Sequence, residues 1–237
     1  MSVMANPKKL SPYAAGLAAY NADNMSDAIF HWTKAAGDGD AEAQFQLGLM
    51  HANGTGTEQD FVKALDLFAK SAAQGHVEGQ YSLGVLYGVG LGTAVDLAEA
   101  AYWYTKSADQ GHTAALCNLA GLYERGHGVT QDFMKAVDLY SDAAQRGNVI
   151  AIYNLGVMAE NGVGLEQDHA RAIEFYKVAA DNGLAAAQYN LGTMFAQGLG
   201  TAADVDKAKF WLAKAADQGH KLARSNLAIL NEMRAAS

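Results

Sequence analysis

The chain has 237 residues, which is enough for one or two globular domains with a buried core. Hydrophobic residues make up 50% of it, yet the mean hydropathy is only −0.07 because much of that fraction is alanine. The formal net charge is −8, from 17 basic and 25 acidic residues, which disfavours a surface for nucleic acid or anionic membranes. With 25 glycines and two prolines, the composition predicts closely packed helices joined by glycine turns.

The N-terminal region has weak features of a signal peptide, since Lys8 and Lys9 precede LSPYAAGLAAYNA. That segment is short, weakly apolar and interrupted by proline and glycine, so we interpret it as the start of a helical unit over residues 10–40. Residues 1–9 are predicted to be flexible. No apolar run approaches the ~18 residues that span a bilayer. We expect a cytoplasmic protein, whereas cleavage of the N-terminus would favour a periplasmic or secreted one.

From residue 41 onward the sequence repeats every 36 residues without insertion or deletion. AEAQFQLGLMHANGTGTEQDFVKALDLFAKSAAQGH aligns over its whole length with VEGQYSLGVLYGVGLGTAVDLAEAAYWYTKSADQGH. Self-similarity at such a period is typical of stacked repeat architectures. The five units are 41–76, 77–112, 113–148, 149–184 and 185–220, and a half-unit follows over residues 221–237.

Each unit is predicted to form two helices. The first carries a leucine followed by a small residue, within an apolar stripe at i, i+4 and i+7, and the small residue lets a neighbouring helix approach closely. The second helix begins after an aspartate that caps free backbone N–H groups, and it ends at a glycine. The aspartates are Asp60, Asp96, Asp132, Asp168 and Asp204, and the glycines are Gly75, Gly111, Gly147, Gly183 and Gly219.

A pair of glycines recurs between the two helices, as in HANGTGTEQDFVKA at residues 51–64. A phosphate-binding loop requires G-x-x-x-x-G-K-[ST], or G-x-G-x-x-G after a strand, and neither spacing is completed here. The pairs are therefore interpreted as hinges between helices. They lie at positions 54 and 56, 90 and 92, 126 and 128, 162 and 164, and 198 and 200.

The pattern A-x-x-x-L-G-x-x-Y-x-x-G-x-G, followed by D-x-x-K-A-x-x-W/F-Y-x-K-A-A-x-x-G, resembles the Sel1-like repeat family, a relative of the tetratricopeptide repeat. The resemblance covers roughly residues 10–234. It implies an all-α, right-handed α-solenoid of stacked antiparallel helix pairs, forming one continuous domain. The loop in residues 10–40 is four residues shorter than in the later units, which resembles a tetratricopeptide repeat and suits an N-terminal cap. Residues 221–237 are predicted to form a C-terminal capping helix.

Catalytic and metal chemistry find little support in the sequence. His76, His112 and His220 recur one repeat apart, which is too far for shared metal ligation at ~2 Å bonds, so they are interpreted as turn or cap residues. Cys117 occupies an otherwise aromatic position and is interpreted as a structural thiol. The chain contains no S-x-x-K, G-x-S-x-G or H-E-x-x-H. No catalytic residue, metal site or cofactor is predicted.

A polar residue precedes the leucine of every first helix. These residues are Gln46, Ser82, Asn118, Asn154, Asn190 and Asn226. Asparagine both donates and accepts hydrogen bonds, so such a row at repeat spacing could bind the amide groups of an extended peptide. The alternative is that the asparagines bond to the loop backbone of their own repeat. Tyr81, Tyr153 and Tyr189 lie next to the row and either pack inward or line the groove, with core packing favoured for the last two.

The family resemblance implies that the first helices line a concave face on which partners bind. We therefore expect a non-catalytic scaffold or adaptor that binds a protein or an extended peptide, with a monomer favoured. If they face such a groove, which the sequence leaves open, Glu124, Arg125 and Glu160 would add charge to it, and the neutral Asn161 would add a polar group. The alternative function is an envelope or secreted protein that acts as an inhibitor or immunity factor, or that binds cell-wall peptide.

Overall fold

The computed structural model describes the backbone of residues 10–235 and the side chains of residues 10–232, and every regular element within them is an α-helix. The all-α solenoid expected from the repeats is confirmed. The segment 1–9, predicted to be flexible, lies outside the described residues. The helices are α1 Pro12–Asn21, α2 Met25–Gly37, α3 Ala41–Asn53, α4 Phe61–Ala73, α5 Val77–Val89, α6 Leu97–Ala108, α7 Thr113–Arg125, α8 Phe133–Gln145, α9 Val149–Asn161, α10 His169–Asp181, α11 Ala185–Gln197, α12 Val205–Asp217 and α13 Lys221–Ala235.

Apart from its 36-residue repeats, the chain divides into two larger compact units. The first ends at Ala115, inside α7, and the second begins at Leu116. In the first unit, each helix from α1 to α6 packs on the next helix along the chain. In the second unit the same holds from α8 to α13. Because nearly every contact joins sequence neighbours, each unit is a stack of helix pairs of the kind that builds a solenoid.

The helix ends confirm the predicted capping residues. The Asp60 carboxylate accepts a hydrogen bond from the Lys63 backbone N–H at 3.0 Å, and the four equivalent aspartates cap their helices in the same way. The glycines after the second helices have φ between +85° and +87°, the left-handed conformation that glycine adopts without strain. Residues 22–24 join α1 to α2, whereas residues 54–60 join α3 to α4, so the first loop is four residues shorter, as predicted.

The small residue after the leucine lies directly under a bulky side chain of the second helix. A Cβ built on Gly156 would lie 2.7 Å from the Tyr176 ring, and one on Gly48 would lie 2.6 Å from the Phe68 ring. Both rings are buried. The glycine therefore sets how closely the two helices of a repeat approach, as the sequence predicted.

The glycine pairs form the joint between the two helices. Gly54, Gly90, Gly162 and Gly198 end the first helices in the left-handed conformation. The second glycine of a pair lies against the start of the preceding second helix: a Cβ on Gly164 would meet the Phe133 carbonyl oxygen at 2.6 Å. The loop is therefore packed on protein backbone, which supports the hinge interpretation.

A pair of glutamines, one buried and the other exposed, joins successive helices and was not anticipated from the sequence. Gln188 Nε2 donates to the Ala180 carbonyl oxygen at 3.1 Å, and Gln188 Oε1 accepts from Gln218 Nε2 at 2.8 Å. Gln80 with Gln110, and Gln44 with Gln74, form the same pair. Each pair joins a first helix both to the preceding second helix and to its own. The sequence feature that could have predicted this pair is the recurrence of glutamine at these two repeat positions.

Candidate partner-binding face

The predicted polar row lies on the first helix of each 36-residue unit and on α13. Asn118 is exposed, and Gln46, Ser82, Asn154, Asn190 and Asn226 are half-buried. The leucines that follow the first five of these residues are buried. The row therefore lies at the edge of the core, where the polar atoms of its side chains can be reached from outside.

Two members of the row use their side chains within the protein. Gln46 Nε2 donates to Glu42 Oε1 at 2.9 Å, one turn earlier on α3. Asn190 Nδ2 lies 3.5 Å from Tyr153 Oη on the preceding first helix, which is at the outer limit for a hydrogen bond. Among residues 10–235, the side chains of Asn118, Asn154 and Asn226 make no hydrogen bond.

The loops are held by other residues. Gln59, Gln131 and Gln167 donate to the carbonyl oxygens of Ala52, Glu124 and Glu160 at 2.8, 2.9 and 2.8 Å. No described hydrogen bond runs from the polar row to loop backbone. The amides of the row are therefore not required for closing the loops of the described repeats.

The tyrosines beside the row are half-buried and pack on aromatic neighbours. Tyr153 lies 5.7 Å from the Tyr176 ring, centroid to centroid, and Tyr189 stacks on His220 at 4.5 Å. Tyr81 packs in the same way on His112, at 4.4 Å. These rings contribute to helix packing and leave only part of their surface to line the face.

Two buried tyrosine hydroxyls from second helices reach carboxylates of the first helices. Tyr176 Oη donates to Glu160 Oε2 at 2.6 Å, and Tyr140 Oη donates to Glu124 Oε2 at 3.0 Å. Burial, together with the adjacent carboxylate, raises the pKa of both hydroxyls well above the ordinary tyrosine value. Both tyrosines therefore stay protonated and act as donors that fix the position of the two glutamates.

Asn226 lines a small pocket in the second unit, with a volume of about 120 Å³. Its walls come from α11, α12 and α13 and include Thr193, Leu212 and Ile229. The pocket is mainly apolar, and it is large enough for one small aliphatic side chain. A partner could therefore meet both a side-chain amide and an apolar recess at this end of the row.

The recurring histidines are helix caps, which confirms the prediction. His76 Nδ1 accepts from the Gly79 backbone N–H at 3.0 Å, while its Nε2 lies 2.8 Å from Glu42 Oε2. His112 and His220 accept in the same way from Ala115 and Ala223. An accepting Nδ1 requires that the proton be on Nε2. Within residues 10–235, no three His, Cys, Asp or Glu side chains are grouped as metal ligands would be.

Cys117 is a free, half-buried thiol on α7. Burial raises its pKa to about 11. The reactive thiolate is therefore scarce near neutral pH, which supports a structural thiol over a nucleophile. In the described part of the chain, no helix combines the length and apolar character needed to cross a membrane.

Stacked helix pairs, glycine joints and a polar edge on the first helices define an α-solenoid repeat protein of the tetratricopeptide-like class. The Sel1 repeat family model matches residues 41–76, 77–112, 113–148, 149–184 and 185–220. The chain belongs to this family. Sel1 repeats form scaffolds for protein–protein interaction, and the family fold is generally non-catalytic.

Solved structures place the fold in the same group. The c5321 protective antigen of uropathogenic Escherichia coli is 32% identical with a TM-score of 0.86, over 92% of this chain and 48% of its own. A Sel1 repeat protein from Oxalobacter formigenes is 28% identical with a TM-score of 0.86, over 92% and 87%.

The present chain thus spans about half the length of c5321. The immunity protein Pa5087 of Pseudomonas aeruginosa is 22% identical with a TM-score of 0.50, over 92% of this chain and 79% of its own, and shares the fold alone. No curated protein matches the chain significantly.

Proposed function

We propose that the chain is a non-catalytic scaffold that binds an extended segment of a partner protein on the face formed by its first helices. The observation that supports this most directly is the set of uncommitted carboxamides on Asn118, Asn154 and Asn226, at the edge of the core. An amide offers a donor and an acceptor, which match the carbonyl and N–H of an extended backbone. The rigid helix pairs position these groups before the partner arrives, which reduces the entropy lost on binding.

Site-specific photo-crosslinking in the native host tests the location of the face. A benzophenone amino acid is placed at Asn154 on α9 or, as the matched control, at exposed Lys177 on α10 of the same repeat. We expect a partner to be crosslinked from position 154 and not from position 177. Equal crosslinking from the two positions would place the binding surface elsewhere.

A double substitution then measures what the amides contribute. Asn154→Ala with Asn190→Ala removes two side-chain amides, and at about 1 kcal/mol each the affinity for the crosslinked partner should fall roughly 5- to 30-fold. Far-ultraviolet circular dichroism should be unchanged, because neither residue bonds to helix or loop backbone. If the dissociation constant of the double variant equals that of the parent, the row does not bind the partner.

A further inference from the structure

One residue breaks the charge pattern of the first helices. Arg125 is the only lysine or arginine on α3, α5, α7, α9 and α11. It takes part in none of the ion pairs formed within residues 10–235. An exposed guanidinium without a carboxylate partner, in a chain of net charge −8, is a distinctive feature of this surface.

The side chain of Arg125 folds back over its own helix. Its Nη2 lies 2.7 Å from the position where a Cβ on Gly121 would be. The equivalent positions on α9 and α11 are occupied by Val157 and Thr193. The guanidinium of Arg125 therefore occupies the place that the side chains of Val157 and Thr193 take on α9 and α11. It can do so because Gly121 has no side chain.

Cys117 and Asn118 lie one turn before Gly121 on the same face of α7, and together with Gly121 and Arg125 they form what we call the notch. Cys117 replaces the tyrosine that α9 and α11 carry at the same repeat position. Asn118, three residues before Gly121, is exposed and its amide is uncommitted. Glu124 turns towards α8, where its Oε2 accepts from Tyr140 Oη at 3.0 Å.

The notch therefore offers hydrogen-bond donors, which favour an anionic acceptor. A guanidinium has five N–H donors and no acceptor, and its planar fork matches a carboxylate. The Asn118 amide, one turn before Gly121, supplies a further donor. Additional negative charge on a partner would be repelled by Glu124, Glu160 and the net charge of the chain.

We propose that Arg125, assisted by Asn118, binds the carboxylate of a single aspartate or glutamate side chain within the partner's extended segment, whose flanking residues are uncharged or basic. This assignment rests on the proposed function, since it names the chemistry of the partner that the face binds. It makes α7 the position at which the scaffold distinguishes one segment from another.

Degenerate peptide pools test the assignment without knowledge of the partner. All peptides are acetylated, uncharged apart from the position tested, and fluorescently labelled. One pool has a fixed central glutamate with an amidated C-terminus, the second has glutamine at the same position, and the third has glutamine with a free C-terminal carboxylate. Fluorescence polarisation against the full chain should show at least roughly tenfold tighter binding of the glutamate pool than of the glutamine pool, because charge-assisted bonds contribute about 1.5–3 kcal/mol.

Variants assign this preference to Arg125. Arg125→Gln should bind the two amidated pools equally, and Arg125→Glu should prefer a matched pool with a central lysine. Arg146→Gln removes the same charge from the end of the α8 region, where Arg146 pairs with Asp142, and should keep the glutamate preference. Circular dichroism checks that every variant is folded.

The outcomes separate the two proposals. Binding of the glutamate and glutamine pools with equal affinity overturns the role of Arg125 but leaves the peptide-binding face intact. The tightest binding by the pool with a free C-terminus shows that the notch takes a chain-terminal carboxylate and refutes a side-chain ligand. If no pool binds the parent protein at all, both the face and the carboxylate site are wrong.

Discussion

Replacing Gly156 with alanine tests whether helix spacing within a repeat is set by the contact between this glycine and Tyr176. In an open helical position the change stabilises by about 1 kcal/mol, because glycine has the greater backbone entropy to lose. Here the new methyl group would lie 2.7 and 2.8 Å from two ring carbons of Tyr176. Overpacking of this kind costs about 1–3 kcal/mol.

Tyr176 has little freedom to move away from such a methyl group. Its side chain is fully buried, and its hydroxyl is held by Glu160 at 2.6 Å. The chain contains a natural comparison: α7 carries Ala120 at the position of Gly156, and there the corresponding Tyr140–Glu124 distance is longer, at 3.0 Å. We expect the overpacking to outweigh the helix propensity, leaving Gly156→Ala destabilised by about 1 kcal/mol.

Urea unfolding followed by circular dichroism measures the net change, and amide hydrogen exchange locates it. Gly37→Ala is the matched control, since Gly37 is helical and a Cβ there meets nothing within 4 Å. This control substitution should raise the free energy of unfolding by about 0.5–1 kcal/mol. Exchange should become faster in α9 and α10 and stay unchanged in α3 and α4. Equal stabilisation by Gly156→Ala and Gly37→Ala would show that the ring does not constrain the helix spacing.

Two further predictions concern the polar contacts between helices. Gln188→Ala and Gln218→Ala should each lower the free energy of unfolding by about 1–2 kcal/mol. The double variant should lower it by less than the sum of the two, because the two side chains share one hydrogen bond. Strict additivity in urea unfolding would contradict the pairing. Burial acts to raise the pKa of the Glu42 carboxyl, but hydrogen bonds from Gln46 and His76 outweigh it and hold that pKa below its ordinary value. The folded state therefore binds this proton less readily, so the contribution of Glu42 is present above the unfolded pKa and is lost as the pH falls through the folded one. Urea unfolding between about pH 5 and 3 should accordingly show a smaller loss of stability in Glu42→Gln than in the parent, and parallel pH profiles would refute this.

The sequence predicts the fold well because the repeat multiplies each weak local signal. A single aspartate or glycine is a poor marker of a helix end, but Asp60 and Gly75 are each found in five aligned copies. The structure places these residues at the helix ends in the expected conformations. The cap role of the recurring histidines was predicted in the same way, because histidines one repeat apart are too distant to bind one metal ion.

The candidate face was harder to predict, because facing and hydrogen bonding depend on neighbouring helices. The sequence marks Asn190 as polar but does not show that its amide reaches Tyr153 on the preceding first helix. It likewise left open which way Arg125 and Glu124 point. The structure turns Glu124 towards Tyr140 and folds Arg125 over Gly121, and these directions come from contacts that no spacing rule supplies.

The repetition that builds the scaffold also creates an ambiguity for any partner. Asn154 and Asn190 occupy equivalent positions on successive first helices, so their amides could hold an extended segment equally well after a shift by one repeat. Arg125 occurs once on these helices and removes that degeneracy, because a shifted segment would withdraw its carboxylate from the guanidinium and bring it near Glu160. The shifted carboxylate would lose its charge-assisted bond while still facing a glutamate, Glu160 in place of Glu124, and this disfavours the wrong register. Since repeats contact mainly their neighbours, such a departure can be placed on α7 with little effect on the packing of the others.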